Sequence, residues 1–325
     1  MTATSRLVVV TGATGAVGPA IANRFATEPG VSVVAIARHA APTGVLAPQV
    51  QFEAGDLFDA RTTERVAGAD IVCHLAARLH VTDPDPALRA EYERVNVDAT
   101  RRLVDATRPT ARFVFFSTID VYGPTQPGTV ATEDTAPRPR SLYGETKLQA
   151  ERLVLQHPGG VVLRLAAVYG PRVKANYARL ARALARHRYV SIGSGRNLRT
   201  LISERDAAEG ARVVATAAAL PSRVYNLTDG RVHSVHDIVG AICAALGRRP
   251  PRWSVPGPVA RGAAVMVDGV FRALGRHPPV TPQMIDKLQE NVAVSGERLQ
   301  RELGFAPRLD LAAGWREALA ARDLP

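Results

Sequence analysis

Residues 11–18 read Thr11-Gly12-Ala13-Thr14-Gly15-Ala16-Val17-Gly18, after the apolar run 7–10 and leading into a helical stretch over 16–26. A lone glycine triplet is weak evidence, but strand, glycine turn and helix in this order form a phosphate-binding turn. Gly12 permits the tight turn, Gly15 lets the backbone approach a pyrophosphate, and Gly18 lets the helix pack closely on the sheet. The helix N-terminus adds free N–H groups and partial positive charge, with Thr14, Ala16 and Val17 completing the cradle.

Working outward, strand-like runs at 31–37, 50–53, 71–74 and 112–117 alternate with helical or turn segments. The stretch 86–107 reads as one long helix, and a helix over 142–155 precedes a strand at 161–165. Short apolar, β-branched runs alternating with helices predict an α/β fold, a Rossmann-type doubly wound parallel sheet. After Gly170 the pattern loosens into helical segments at 175–186, 206–219, 235–246 and 259–274 between short strands. Ser234 followed by Asp237 reads as an N-cap with an acidic first turn. The organisation expected is a dinucleotide-binding unit over 1–170 and a smaller C-terminal substrate-binding lobe over 171–325, interleaved with the sheet.

Composition agrees with a globular chain: 325 residues, 46% hydrophobic and 22% charged, which excludes a disordered protein. No apolar run approaches the roughly 18–20 residues a membrane span needs, and the amino terminus has no apolar segment followed by a small-residue cleavage site. A cytosolic protein without a membrane partner is expected. Cys73 and Cys243 lie far apart without a CxxC pattern, so they read as buried thiols, with no metal implied. The net charge of +11 is uneven: residues 1–158 carry 16 Lys+Arg and 17 Asp+Glu, residues 159–325 carry 25 and 13. Eight basic residues and no acidic one lie between Arg172 and Arg199. A basic second half points to an anionic ligand, with nucleic acid as the rival. In an arginine-rich chain, the bland reading is a solvated charged face.

About 20 positions beyond the turn, a carboxylate would bind a ribose 2′-hydroxyl. Here the chain reads Ala35-Ile36-Ala37-Arg38-His39, with no carboxylate before Glu53. Arg38 can instead fork onto a 2′-phosphate, which favours NADP(H) with NAD(H) as the alternative. Tyr143 and Lys147 stand four residues apart in the predicted helix after the fifth strand, so both fall on one helical face. A tyrosine near pKa 10 needs lowering by about three units, about 4 kcal/mol, to exchange a proton near neutrality. A neighbouring ammonium acts in that direction. Thr118, at the end of the fifth strand, can hydrogen-bond the same reacting oxygen.

These motifs carry a family resemblance. TGATGAVG, GDL at 55–57, HLAA at 74–77, Asn96 in VNVDAT, FSTIDVYG at 116–123, Tyr143xxxLys147, RLAAVYGPR at 164–172 and the late AVSGERLQRELGFAPR resemble the extended short-chain dehydrogenase/reductase family. The branch is that of nucleotide-sugar epimerases, dehydratases and ketoreductases, and the likeness spans most of the chain. It implies an NAD(P)-dependent enzyme whose catalytic trio is Thr118, Tyr143 and Lys147. It implies Asp56 and Leu57 at the adenine, Ala76 and Ala77 near the ribose, and Val168 by the nicotinamide. It also implies substrate contacts at Asn176, Arg199 and Lys287, with Arg199 on the diphosphate, and a homodimer paired through the helices at 86–107 and 142–155. His74 and Asn96 are expected to be packed or bracing groups. The family's dehydratases follow the active Thr with an Asp–Glu pair; here Ile119 and Asp120 follow Thr118, which removes the acid that dehydration needs.

The reading favoured is 4-ketoreduction of a nucleotide-linked 4-keto-6-deoxyhexose, with a nucleotide-sugar 4-epimerase holding NAD as the alternative. Reduction of a hydrophobic ketone on the same fold stays open. A dinucleotide-sensing regulator that binds nucleic acid would have no need of the Thr118, Tyr143 and Lys147 set.

Overall fold

The computed structural model describes residues 5–79, 88–172 and 176–320. The first half alternates as expected: β1 (Arg6–Thr11), α1 (Gly18–Ala26), β2 (Val31–Ala37), β3 (Val50–Ala54), α2 (Ala60–Gly68) and β4 (Ile71–His74). It continues through α3 (Arg89–Glu93), α4 (Ala99–Ala106), β5 (Arg112–Thr118), α5 (Leu142–Val154) and β6 (Gly160–Leu165). The second half runs β7 (Ala167–Tyr169), α6 (Asn176–Ala185), β8 (Ser191–Ile192), β9 (Leu198–Ser203), α7 (Glu204–Thr216) and β10 (Val224–Leu227). Then follow β11 (Val232–Ser234), α8 (Val235–Ala245), β12 (Ser254–Val255), α9 (Gly257–Ala273), α10 (Pro282–Gln289), α11 (Glu297–Leu303) and α12 (Leu311–Ala320).

Seven strands form one sheet in the order β10-β6-β5-β4-β1-β2-β3, and all its pairs are parallel. The alternation within β1 shows why the strands read as unbroken apolar runs. Val8 and Val10 join Ile21, Phe25 and Val214 on one face, while Val9 joins Val34, Val72, Leu103 and Phe115 on the other. Both faces are covered by helices, as a parallel sheet requires. The strand order reverses between β1 and β4, which opens the crevice where ligands bind in such sheets.

The second half is interleaved with this sheet. Its β10 forms the edge strand beside β6, and α7 packs against α1. The remainder builds a three-stranded sheet, β11-β9-β7, over a separate core of Leu184, Leu201, Ile238, Ile242 and Trp315. Tyr169 stacks on Trp315 at 4.7 Å between ring centres. The segment 291–294 runs between the two parts, bridging Thr125, Ala131 and Arg199 through the backbone.

The helix expected over 86–107 is three pieces in one rod: α3, a π-helical turn over Arg94–Asp98, and α4. Residues 86 and 87 lie outside the described ones. At Ser234 the expected cap is a full capping box with Asp237.

Candidate active site

At the turn after β1, Gly12 sits at φ +71°, and a Cβ there would lie 2.5 Å from the Ala76 backbone nitrogen. A Cβ on Gly18 would meet the Gly12 carbonyl oxygen at 2.5 Å. These two glycines are therefore required by the close passage of the β1 turn, the β4 exit and α1. On Gly15, by contrast, a Cβ would approach only the Gly12 oxygen, at 3.1 Å, so its outer side is open. Val17, at the N-cap of α1, gives no side-chain acceptor, and the first turn holds no acidic residue. The free N–H groups there fit an anion, and the residues present fit a dinucleotide pyrophosphate.

Arg38 is exposed one residue past β2, and no hydrogen bond or ion pair involves it among the described residues. Glu53, the next carboxylate, is taken: Arg65 donates to it at 3.0 Å from α2. Asp56 accepts from the Phe58 N–H at 3.1 Å and so shapes the loop after β3. Leu57, Ala76 and Ala77 are half-buried near these strand ends, and Val168 is half-buried in β7.

Thr118 ends β5, and its hydroxyl oxygen accepts the Asp120 N–H at 3.1 Å. The Thr118 hydroxyl proton is left to donate to a ligand oxygen. Ser141 caps α5 by accepting the Gly144 N–H at 2.9 Å, and it also donates to the Asp120 carboxylate. That double use of one serine pins the start of α5, and with it Tyr143, to the segment after β5.

Tyr143 and Lys147 share a face of α5, one helical turn apart. Burial pushes the Tyr143 phenol above its ordinary value, and the Asp120 carboxylate and Tyr92 push it further. Lys147 is 1% exposed, with Nζ 3.8 Å above the Phe115 ring, whose face stabilises the ammonium. Burial lowers the Lys147 ammonium to about 7, against the opposing pull of Glu151. Tyr143 therefore holds its proton firmly in this state.

Around the trio lies a buried polar network whose linkage the sequence reading missed. Glu151 accepts from Arg164 at 2.7 Å and from Ser117, and Arg164 donates to the Tyr122 hydroxyl at 2.8 Å. Tyr122 in turn donates to Asn226 on β10 at 2.8 Å. A signal was present: Glu151 follows Lys147 by one helical turn. His74 is fully buried between Thr11 (2.6 Å) and Thr100 (3.0 Å), and burial lowers it to about 3, so it is neutral. Asn96 bonds Thr146 on α5 and both backbone groups of Arg78. Both act as braces, as the sequence reading expects.

Of the expected substrate-side residues, Arg199 and Lys287 meet through the Lys287 backbone carbonyl, 2.9 Å from the guanidinium. Asn176 is exposed at the start of α6, and Lys287 is exposed on α10. Arg199 donates to the carbonyls of Leu198, Lys287, Leu288 and Glu290. All four terminal guanidinium hydrogens are thereby engaged, because Arg199 caps the C-terminal end of α10, and a diphosphate would have to displace those carbonyls.

The fold agrees with comparison to known proteins. Residues 8–228 match the model of the NAD dependent epimerase/dehydratase family. The dTDP-glucose 4,6-dehydratase of Streptomyces griseus is 33% identical over 84% of this chain and 77% of its own. The UDP-glucose 4-epimerase of Vibrio cholerae is 27% identical over 97% of this chain and 94% of its own. The solved structure of MoeE5 in complex with UDP-glucose and NAD superposes with a TM-score of 0.74, at 28% identity and 97% coverage of both chains. The chain belongs to the NAD-dependent epimerase/dehydratase family and is an enzyme of the extended short-chain dehydrogenase/reductase type.

Proposed function

We propose that this member of the family moves hydride at C4 of a nucleotide-sugar, and that its net reaction is reduction of a nucleotide-linked 4-keto-6-deoxyhexose. The observation that carries this reading is the set at the C-terminal end of β5: a protonated Tyr143, a Thr118 hydroxyl free to donate, and a buried Lys147 on the same helical face as the tyrosine. The nicotinamide supplies the hydride when bound. Thr118 holds the C4 oxygen by donating to it, and Tyr143 gives that oxygen its phenolic proton as negative charge develops there. Lys147 offsets the phenolate that remains.

Dehydration has no such support. Ile119 is apolar and buried, and the Asp120 carboxylate is already bonded by Ser141, so among the described residues the two positions after Thr118 offer no free acid to protonate a leaving hydroxyl. The exposed Arg38 and the ion-paired Glu53 support NADP(H) as the coenzyme. A second reading, a 4-epimerase that keeps and recycles NAD, is favoured by the NAD in the MoeE5 complex.

The test is to denature freshly purified protein and identify any released nucleotide by mass and amount. An empty site that takes NADPH in preference to NADH, and oxidises it with an NDP-4-keto-6-deoxyhexose, supports the reductase. Near-stoichiometric NAD(H) in the released fraction moves the assignment to the epimerase.

A further inference from the structure

Helix α9 hides almost none of its surface: of its 17 residues only Gly257 and Ala264 are buried. Val259, Met266 and Val270, with Leu274 just past its end, fall on one side of the 3.6-residue period. They are 57–73% exposed, with Met266 the most. Trp253, four residues before α9 begins, is 88% exposed. The register Ser254↔Ser191 sets it beside Val190, another exposed apolar residue. Leu288, on α10, which packs on α9, is exposed as well. Scattered exposed apolar residues are ordinary; an exposed apolar stripe along one side of a helix marks an interaction site.

The charge around it is one-sided. Residues 248–287 contain seven Lys+Arg and two Asp. Both acids are paired, Asp268 with Arg272 at 2.8 Å and Asp286 with Arg261 at 3.0 Å. Arg249, Arg252 and Arg276, which flank α9 in the sequence, stay exposed.

We propose that this face docks on an anionic lipid surface, with α9 lying along the interface and Trp253 inserted beside it. An apolar stripe on a helix flanked in sequence by exposed arginines matches acyl chains beneath phosphate headgroups, and the two attractions together give binding that neither gives alone. A second copy of the chain fits poorly, since it would oppose these arginines with their own equivalents. Nucleic acid would meet the charge and leave the apolar stripe unused. Among the described residues no helix is long and apolar enough to cross a membrane, so the contact is peripheral. None of these residues belongs to the C4 chemistry, so the two proposals stand or fall separately.

The chain carries its own probe, because the other tryptophan, Trp315, is 2% exposed. Full-length protein is mixed with vesicles of phosphatidylcholine alone or of phosphatidylcholine with phosphatidylglycerol. The mixed vesicles should blue-shift the Trp253 emission, brominated lipid should quench it, and the Trp253→Phe variant should lose the signal. Partition should fall at least about tenfold in a Met266→Asp/Val270→Asp variant, and fall with added salt. Both positions are exposed, so thermal unfolding and coenzyme binding should stay as in the parent chain. The proposal is overturned by absence of binding to the mixed vesicles or by equal binding of the variant. A dimer in sedimentation that the variant dissociates would overturn it too, in favour of a second copy.

Discussion

Tyr143 and Lys147 occupy neighbouring turns of α5 yet lie in different electrostatic surroundings. The phenol faces Asp120 and Tyr92, and the ammonium lies on Phe115. Their spacing was legible in the sequence; their charge states were not, because those depend on a ring from β5 and a carboxylate from the next loop. Tyr143→Phe should lower kcat by about 10²- to 10⁴-fold and leave coenzyme affinity intact, as measured by steady-state kinetics and fluorescence titration. Lys147 gives a pH signature. Its folded pKa of about 7 lies below its unfolded value, so between the two the unfolded chain binds more protons. Stability should therefore rise with pH across that window, by up to about 1.4 kcal/mol per unit from this group. Urea unfolding at neutral and alkaline pH should show that rise in the parent and lose it in Lys147→Met. An equal pH dependence in both chains would mean the ammonium is not buried as described.

Between elements, the phosphate turn and the α5–β6 contact differ in how far sequence could reach. The glycine pattern of 11–18 encodes its own geometry, since only glycine fits at φ +71° with the β4 exit 2.5 Å from its missing Cβ. Gly12→Ala should cost about 2 kcal/mol or more and weaken coenzyme binding, as read by thermal unfolding and titration. The contact between α5 and β6 is held by Glu151 and Arg164, both almost fully buried. Periodicity places each in its own element but says nothing of their pairing, because the contact crosses from helix to sheet. Arg164→Met should cost about 3–5 kcal/mol by leaving the Glu151 charge unpaired, and Glu151→Met/Arg164→Met should recover most of that loss. Urea denaturation of both variants checks this, and a double variant no better than the single would show that the hydrogen bonds to Ser117 and Tyr122 matter more than the ion pair. The π-helical turn at Arg94–Asp98 was equally illegible, since a one-residue bulge hardly alters a helical pattern.

Across the whole molecule, the two halves differ in charge, while the chain's path binds them into one body. The sequence change after Gly170 suggests a boundary there, but β10 and α7 return to the first sheet, and the segment 291–294 is bridged to both parts. Cutting at 170 would strip β6 of its outer neighbour and α1 of the helix that covers Ile21 and Phe25. An exposed parallel edge and an uncovered apolar helix face favour aggregation over folding. A fragment 1–170 should therefore lack near-ultraviolet circular dichroism and precipitate, although it contains the phosphate turn and the trio. The full chain tests the same coupling. Trp315, stacked on Tyr169, reports the second core, whereas far-ultraviolet circular dichroism reports all the helices and strands. In urea the two signals should share one midpoint, as a single cooperative unit requires. An earlier fluorescence transition would mean that the lobe opens alone, and the bridging segment would then be a hinge instead of a tie.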